Sequence, residues 1–242
     1  MNQLQMAERK TPRPSDILRH HHQGNRLAQE GRLAEAVAEW ELSLSVAPEC
    51  ASTHYNLGVA YYRRKEIAKA VSYWQKVVEI EPAHPEANYA LGRAYYEQCL
   101  LERARDAFEI FLRLKPNHPG ALNNLGLLQA QKNRFDQAAR YFRSALEINP
   151  KYAEACYNLG TVRYEQGKYQ EAIKLLNDAV DTYSLVQTNF NDTGIPTPEG
   201  LNNIVKMVQS QVKSAPKSVS FLDVAEPRFA TEVARELGYK VE

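Results

Sequence analysis

The apolar positions of this chain return with a long period. "YNLGVAYY" at 55–62 comes back as "YALGRAYY" at 89–96 and as "YNLGTVRY" at 157–164. Gly24, Gly58, Gly92, Gly126 and Gly160 stand 34 residues apart, and 12 residues after each comes Ala36, Ala70, Ala104, Ala138 or Ala172. Four further on is a large apolar residue, Trp40, Trp74, Phe108, Phe142 or Leu176; eight beyond that is Pro48, Pro82, Pro116 or Pro150, with Ser184 breaking the series. A period of this length signals stacked structural units. Within each unit the apolar residues fall at helical spacing in two runs, so the pattern predicts two amphipathic helices. Glycine or alanine at their crossing lets the backbones approach, while the large residue fills the space beside them. The proline ends the second helix and aims the chain into the next unit.

The two ends depart from the repeat. The first helix of the first unit, "ILRHHHQGNRLAQ", is more polar than its counterparts, as a face turned to water requires. Beyond the fifth unit, "PEGLNNIVKMVQSQVK" places Leu201, Ile204, Val205, Val208 and Val212 on one stripe, which predicts a helix at 198–213 that caps the last unit. This divides the chain into a flexible extension at 1–16, repeats at 17–184, a linker at 185–197, the capping helix, and a tail at 214–242. The tail reads as a strand (219–224), a helix (226–237) and a short strand (239–241), a small βαβ-like unit. Its "FATEVARELGYKVE" resembles the opening of the LytR-type C-terminal domain, with one residue fewer before the glycine.

The recurring Leu-Gly pair, the aromatic three residues on, then alanine, a large residue and proline resemble the tetratricopeptide repeat family, over five units from Ile17 to Ser184. The resemblance implies an all-α fold, a right-handed α-solenoid of five helix pairs whose first helices line a concave groove. On a wheel of about 100° per residue, His54, Leu57, Gly58 and Tyr61 face the second helix, and Ser52, Asn56, Val59 and Arg63 lie opposite. In this family that opposite side faces the groove. Asn56, Asn124 and Asn158 share one register there, interrupted by His22 and Ala90. An amide offers donors and an acceptor together and can pair with a peptide backbone without reading its side chains. The arrays of O-linked sugar transferases hold extended peptides with such a ladder, and three of the five positions here are similar.

Tyr55, Tyr89 and Tyr157 precede those positions, and Tyr62, Tyr96 and Tyr164 lie about two turns further on. Aromatic rings beside amides suit a recognition surface, and they equally suit packing against the next unit's first helix; the sequence leaves both open. Arg63 and Arg93 in the early units and Glu154 and Glu165 in the last give the groove mixed charge, which argues against a nucleic-acid track. Co-chaperones of the same family clamp a C-terminal carboxylate. Asn25 and Asn56 match that clamp, but its cationic positions hold His21, Glu86 and Ala90, so no such clamp is expected.

Composition narrows the reading further. The 242 residues are 44% hydrophobic, with Lys+Arg 30 against Asp+Glu 29, enough to bury a core and without a charge excess that demands a polyanion. "MNQLQMAERKTPRPSD" lacks the apolar run of a signal peptide, and no stretch is apolar enough to span a bilayer, so a cytoplasmic protein without membrane insertion is expected. Cys50, Cys99 and Cys156 read as reduced thiols, and the sequon at Asn191 as chance. His20, His21 and His22 diverge around a helix and cannot converge on one ion; no metal and no cofactor is expected. "GTVRYEQGK" has its glycines too far apart for a phosphate loop. The expectation is a non-enzymatic scaffold that binds a protein or peptide segment in its groove, or, as the alternative, a self-assembling protein whose tail or terminal helix enters the groove of another copy.

Overall fold

A computed structural model describes residues 14–185 and 196–213. All regular structure among the described residues is helical: α1 Pro14–Gln29, α2 Leu33–Val46, α3 Ala51–Arg63, α4 Ile67–Ile80, α5 Pro85–Glu97, α6 Leu101–Leu114, α7 Pro119–Gln131, α8 Phe135–Ile148, α9 Ala153–Glu165, α10 Tyr169–Leu185 and α11 Pro198–Lys213. The chain forms two compact units, Met1–Leu114 and Lys115–Glu242. The first holds α1 to α6 and the second α7 to α11. Helix α1 begins at Pro14, three residues into the segment expected as an extension, because proline's missing N–H is no loss in a first turn. The tail expected at 214–242, with its strands, and most of the linker lie outside the described residues.

Each pair folds back through the same turn. Gly31, Lys65, Cys99, Asn133 and Gly167, again 34 apart, have positive φ between 56° and 78°. The residue after each sends its N–H to the carbonyl five back, as in Arg32 to Leu27 at 2.9 Å and Lys168 to Arg163 at 2.8 Å. That pairing closes the first helix with a Schellman motif. At the crossing, the large side chain lies directly over the glycine rather than beside it. A Cβ on Gly58 would sit 2.3 Å from Trp74 Nε1, and one on Gly126 would sit 2.5 Å from Phe142. Only a residue without a side chain admits the ring there.

Between pairs, polar side chains secure the junctions. His54 Nε2 donates to the Pro48 carbonyl at 2.7 Å, and Asn88 Nδ2 reaches the Pro82 carbonyl at 3.2 Å. His84 and His118 cap α5 and α7, each Nδ1 accepting a backbone N–H three residues on. In the second unit Arg163 is 2% exposed, and its guanidinium meets Glu171 at 2.9 Å and the side-chain oxygen of Gln166. Helix α11 buries Leu201, Ile204, Val205 and Val208 in one cluster with Tyr157, Tyr164, Leu176 and Val180.

Candidate functional site

The exposed face of the first helices is built from the residues that do not meet a second helix. In the first unit Asn25 of α1 and Asn56 of α3 are half-buried, and Asn56 Nδ2 donates to Asn25 Oδ1 at 2.8 Å. Asn25 Oδ1 also accepts from Trp40 Nε1 at 3.0 Å, and Asn25 Nδ2 meets His21 Nε2 at 3.1 Å. One carbonyl oxygen with two lone pairs is thereby filled. Asn56 keeps its own carbonyl and one amide hydrogen beyond this bond.

Tyr62, toward the flank of that side of α3, forms a separate cluster. Its hydroxyl donates to Glu97 Oε1 and accepts from Arg93 Nη2 at 3.3 Å, while the Arg93 guanidinium lies 5.5 Å from the centre of its ring. Burial, and then the Glu97 hydrogen bond, push the phenol up to about 12, so the hydroxyl stays a donor at any ordinary pH. Arg63 is exposed. Tyr55 stacks on His84 with centroids 5.3 Å apart, and Tyr89 packs its ring 5.0 Å from Phe111. Tyr96 is half-buried, its phenol raised by desolvation and then by Cys99.

In the second unit Asn158 of α9 donates through Nδ2 to Asn123 Oδ1 at 2.9 Å. Asn124 is half-buried at the ladder position of α7. Tyr157 and Tyr164 depart from a contact surface: both are 6% exposed and belong to the cluster that α11 closes. Desolvation pushes the Tyr157 phenol up to about 12, and Tyr164 meets Tyr169 edge-on at 5.4 Å. They are packing residues, because α11 covers the end of the last pair and takes their rings out of water.

Two participants escaped the sequence reading. His21 and Asn123 stand in the register of Tyr55, Tyr89 and Tyr157, and each ties down a neighbouring amide. The doubled asparagine in "ALNNLG" was the available signal for Asn123, and the position of His21 in a run of three hid its role. The three histidines do diverge: His20 Nδ1 meets Glu39 at 2.7 Å, and His21 Nδ1 meets Thr53 Oγ1 at 2.8 Å. Among the described residues no three His, Cys, Asp or Glu side chains converge as metal ligands, and no helix is long and apolar enough to cross a membrane.

Family models described as tetratricopeptide repeat match residues 51–84, 89–153 and 129–184, and one described as TPR repeat matches 24–65. The chain belongs to the tetratricopeptide repeat family, and its helix pairs have the α-solenoid fold of that family. Among solved structures it is similar to YrrB, described as a TPR protein with an unusual peptide-binding site, at 20% identity and TM-score 0.62, over 71% of this chain and 89% of that one. It is similar to MamA at 23% identity and TM-score 0.63, over 67% of this chain and 95% of the other. A third likeness is to PilF of Pseudomonas aeruginosa, at 17% identity and TM-score 0.65, over 92% of each chain. No curated protein matches the chain by sequence.

Proposed function

We propose that this protein is a non-catalytic scaffold in which each unit offers the exposed face of its own first helices to an extended segment of a protein partner. The observation that carries the reading is the pair of half-buried amides, Asn56 and Asn158, each oriented by one internal bond and each left with further hydrogen-bonding capacity. A half-buried amide held in one orientation is suited to an incoming backbone, since the entropy of ordering it has already been lost on folding. In the first unit Tyr62, Arg93 and Arg63 add to its face, and in the second unit Asn124 adds to that unit's own face. The family membership, and the peptide-binding site in the description of YrrB, support the same class of partner.

Proteins captured by the full chain from its own cell extract would identify the segment, and a synthetic peptide of that segment would give its affinity. With Asn56 and Asn158 both changed to alanine, each lost bond should weaken the peptide by about 0.5 to 1.5 kcal/mol. Equal affinity in the double variant would remove the amides from the site. Light scattering at two protein concentrations tests whether the captured segment comes from a second copy of this chain.

A further inference from the structure

Five side chains around the start of the first unit form a hydrogen-bonded chain whose direction is set by one group. An indole N–H can only donate. Trp40 Nε1 lies 3.0 Å from Asn25 Oδ1, so the Asn25 carbonyl faces the indole and its NH2 faces His21 Nε2 at 3.1 Å. An NH2 has no acceptor to offer, so His21 Nε2 must accept, and the ring is neutral with its proton on Nδ1. That proton goes to Thr53 Oγ1 at 2.8 Å, and the Thr53 hydroxyl donates in turn to Cys50 Sγ at 3.1 Å. Asn25 Oδ1 also holds Asn56 Nδ2 at 2.8 Å, which joins the network to the exposed face.

From this geometry we infer that protonation of His21 releases the Asn25 amide, and with it Asn56, so that the first unit presents different hydrogen-bonding groups in acid than at neutral pH. An imidazolium donates from both ring nitrogens and turns Nε2–H toward the NH2 of Asn25. Rotating the Asn25 amide by half a turn satisfies His21 but sets its NH2 against the N–H of Trp40 and the NH2 of Asn56. No orientation of Asn25 serves all three neighbours once His21 is charged. The second unit is built without this device, because Asn123 stands in the register of His21 and holds Asn158 itself.

The groups that approach His21 among the described residues act in one direction. On its own helix, His22 lies with its ring centroid 5.8 Å away, and His20 is engaged by Glu39 of α2. From the α3 side, Cys50 reaches it only through Thr53. Desolvation first, and the neighbouring His22 second, hold the pKa of His21 below 6.5. The neutral network is therefore complete above 6.5 and is lost as the pH falls through the lower folded value. The effect on partner binding rests on the proposed function; the device itself is measurable without any partner.

The chain has two tryptophans, so the 15N–1H spectrum of the full protein contains two side-chain indole signals. Trp74 Nε1 donates to the Tyr55 carbonyl and serves as the internal reference. On titration from about pH 8 to about pH 5, the Trp40 signal should shift with a midpoint below the ordinary histidine value. In His21→Gln that shift should vanish while the Trp74 signal behaves as before. A Trp40 signal that stays flat, or that titrates unchanged in His21→Gln, overturns the inference. The imidazole 15N shifts of the unaltered protein give a second check that needs no variant. They should show the Nδ1–H tautomer of His21 at neutral pH, and the Nε2–H tautomer there would overturn the inference equally. If the device is confirmed and partner affinity does not change with pH, the coupling to binding fails while the hydrogen-bond switch stands.

Discussion

Asn56 in the first unit and Asn158 in the second occupy the same place in the 34-residue period, yet each is held by a different arrangement. Asn56 donates to an amide that is itself pinned by an indole and an imidazole, whereas Asn158 donates to the neighbouring register of α7. Tyr62 and Tyr164 diverge in the same way: one lies on the open face with Arg93 and Glu97, the other lies beneath α11. The period governs backbone and packing, which every unit shares. The polar partners of the exposed face are set one unit at a time, and that is where a repeat protein acquires its individuality.

Packing beneath the two faces gives the largest expected difference. Gly58→Ala drives a Cβ to 2.3 Å from Trp74, while Gly160→Ala comes to 3.0 Å from Leu176 Cγ and 3.4 Å from the Ala172 carbonyl, so a shift of a few tenths of an ångström would relieve it. The first should cost about 2 kcal/mol or more by overpacking, and the second should stay within about 1 kcal/mol of neutral, since alanine also gains helix propensity. Urea unfolding followed by circular dichroism measures both, and equal losses would erase the distinction.

The amides come next. Asn25→Ala removes one partner each from Trp40, His21 and Asn56 and should cost about 2 kcal/mol, against about 1 kcal/mol for Asn123→Ala, which strands Asn158 alone. A reversed order would mean that the histidine network contributes nothing to folding.

Acid should touch the two units through different histidines. In the second, His118 accepts the Ala121 N–H through Nδ1 at 3.1 Å, and desolvation, then Lys115, hold its pKa below the ordinary value. A depressed histidine pKa means that the unfolded chain binds the proton more readily. The contribution is thus present above 6.5 and lost as pH falls through the folded pKa. His118→Asn keeps an N-cap that does not titrate, so exchange of the α7 amides should lose its acid sensitivity. Acid-sensitive exchange that survives in this variant would place the titrating group elsewhere.

The smallest effects lie in the turns. Lys65 and Cys99 hold positive φ that glycine takes without strain, so Lys65→Gly and Cys99→Gly should each stabilise the first unit by up to about 1 kcal/mol. Asn133, at φ 56° in the second unit, already tolerates that conformation, and Asn133→Gly should gain only a few tenths of a kcal/mol. Matched melting temperatures across the three variants would show that the turns do not discriminate between side chains.

Much of this was legible in the sequence because the helix pairs obey one rule at fixed spacing. Gly58 and Trp74, or Gly126 and Phe142, name each other across 16 residues, and the stripe of Leu201, Ile204, Val205 and Val208 announced a helix that needs covering. The turn was half visible, since only Gly31 and Gly167 keep the residue that the left-handed position favours. The polar face was hardest to read. Whether an amide at a given register points to a partner or to a neighbour depends on what the adjacent helix brings within about 3 Å, and a helical wheel carries no information on that distance. The tyrosines stayed open between contact and packing for a related reason: Tyr157 and Tyr164 are written like Tyr55 and Tyr62, and the cluster that α10 and α11 build around them is not visible in their own segment.

Helix α11 also sets a direction for growth. It turns Asn202, Lys206, Gln209 and Ser210 outward and spends its apolar residues on the pair behind it. A 34-residue segment packed on the outward face of α11 would meet Asn202, Lys206, Gln209 and Ser210, polar groups against which an apolar stripe gains little. The same segment inserted ahead of α11 would meet the surface that α11 now covers, and would hand an equivalent one on. An added helix pair would therefore fit ahead of α11 rather than against its outward face.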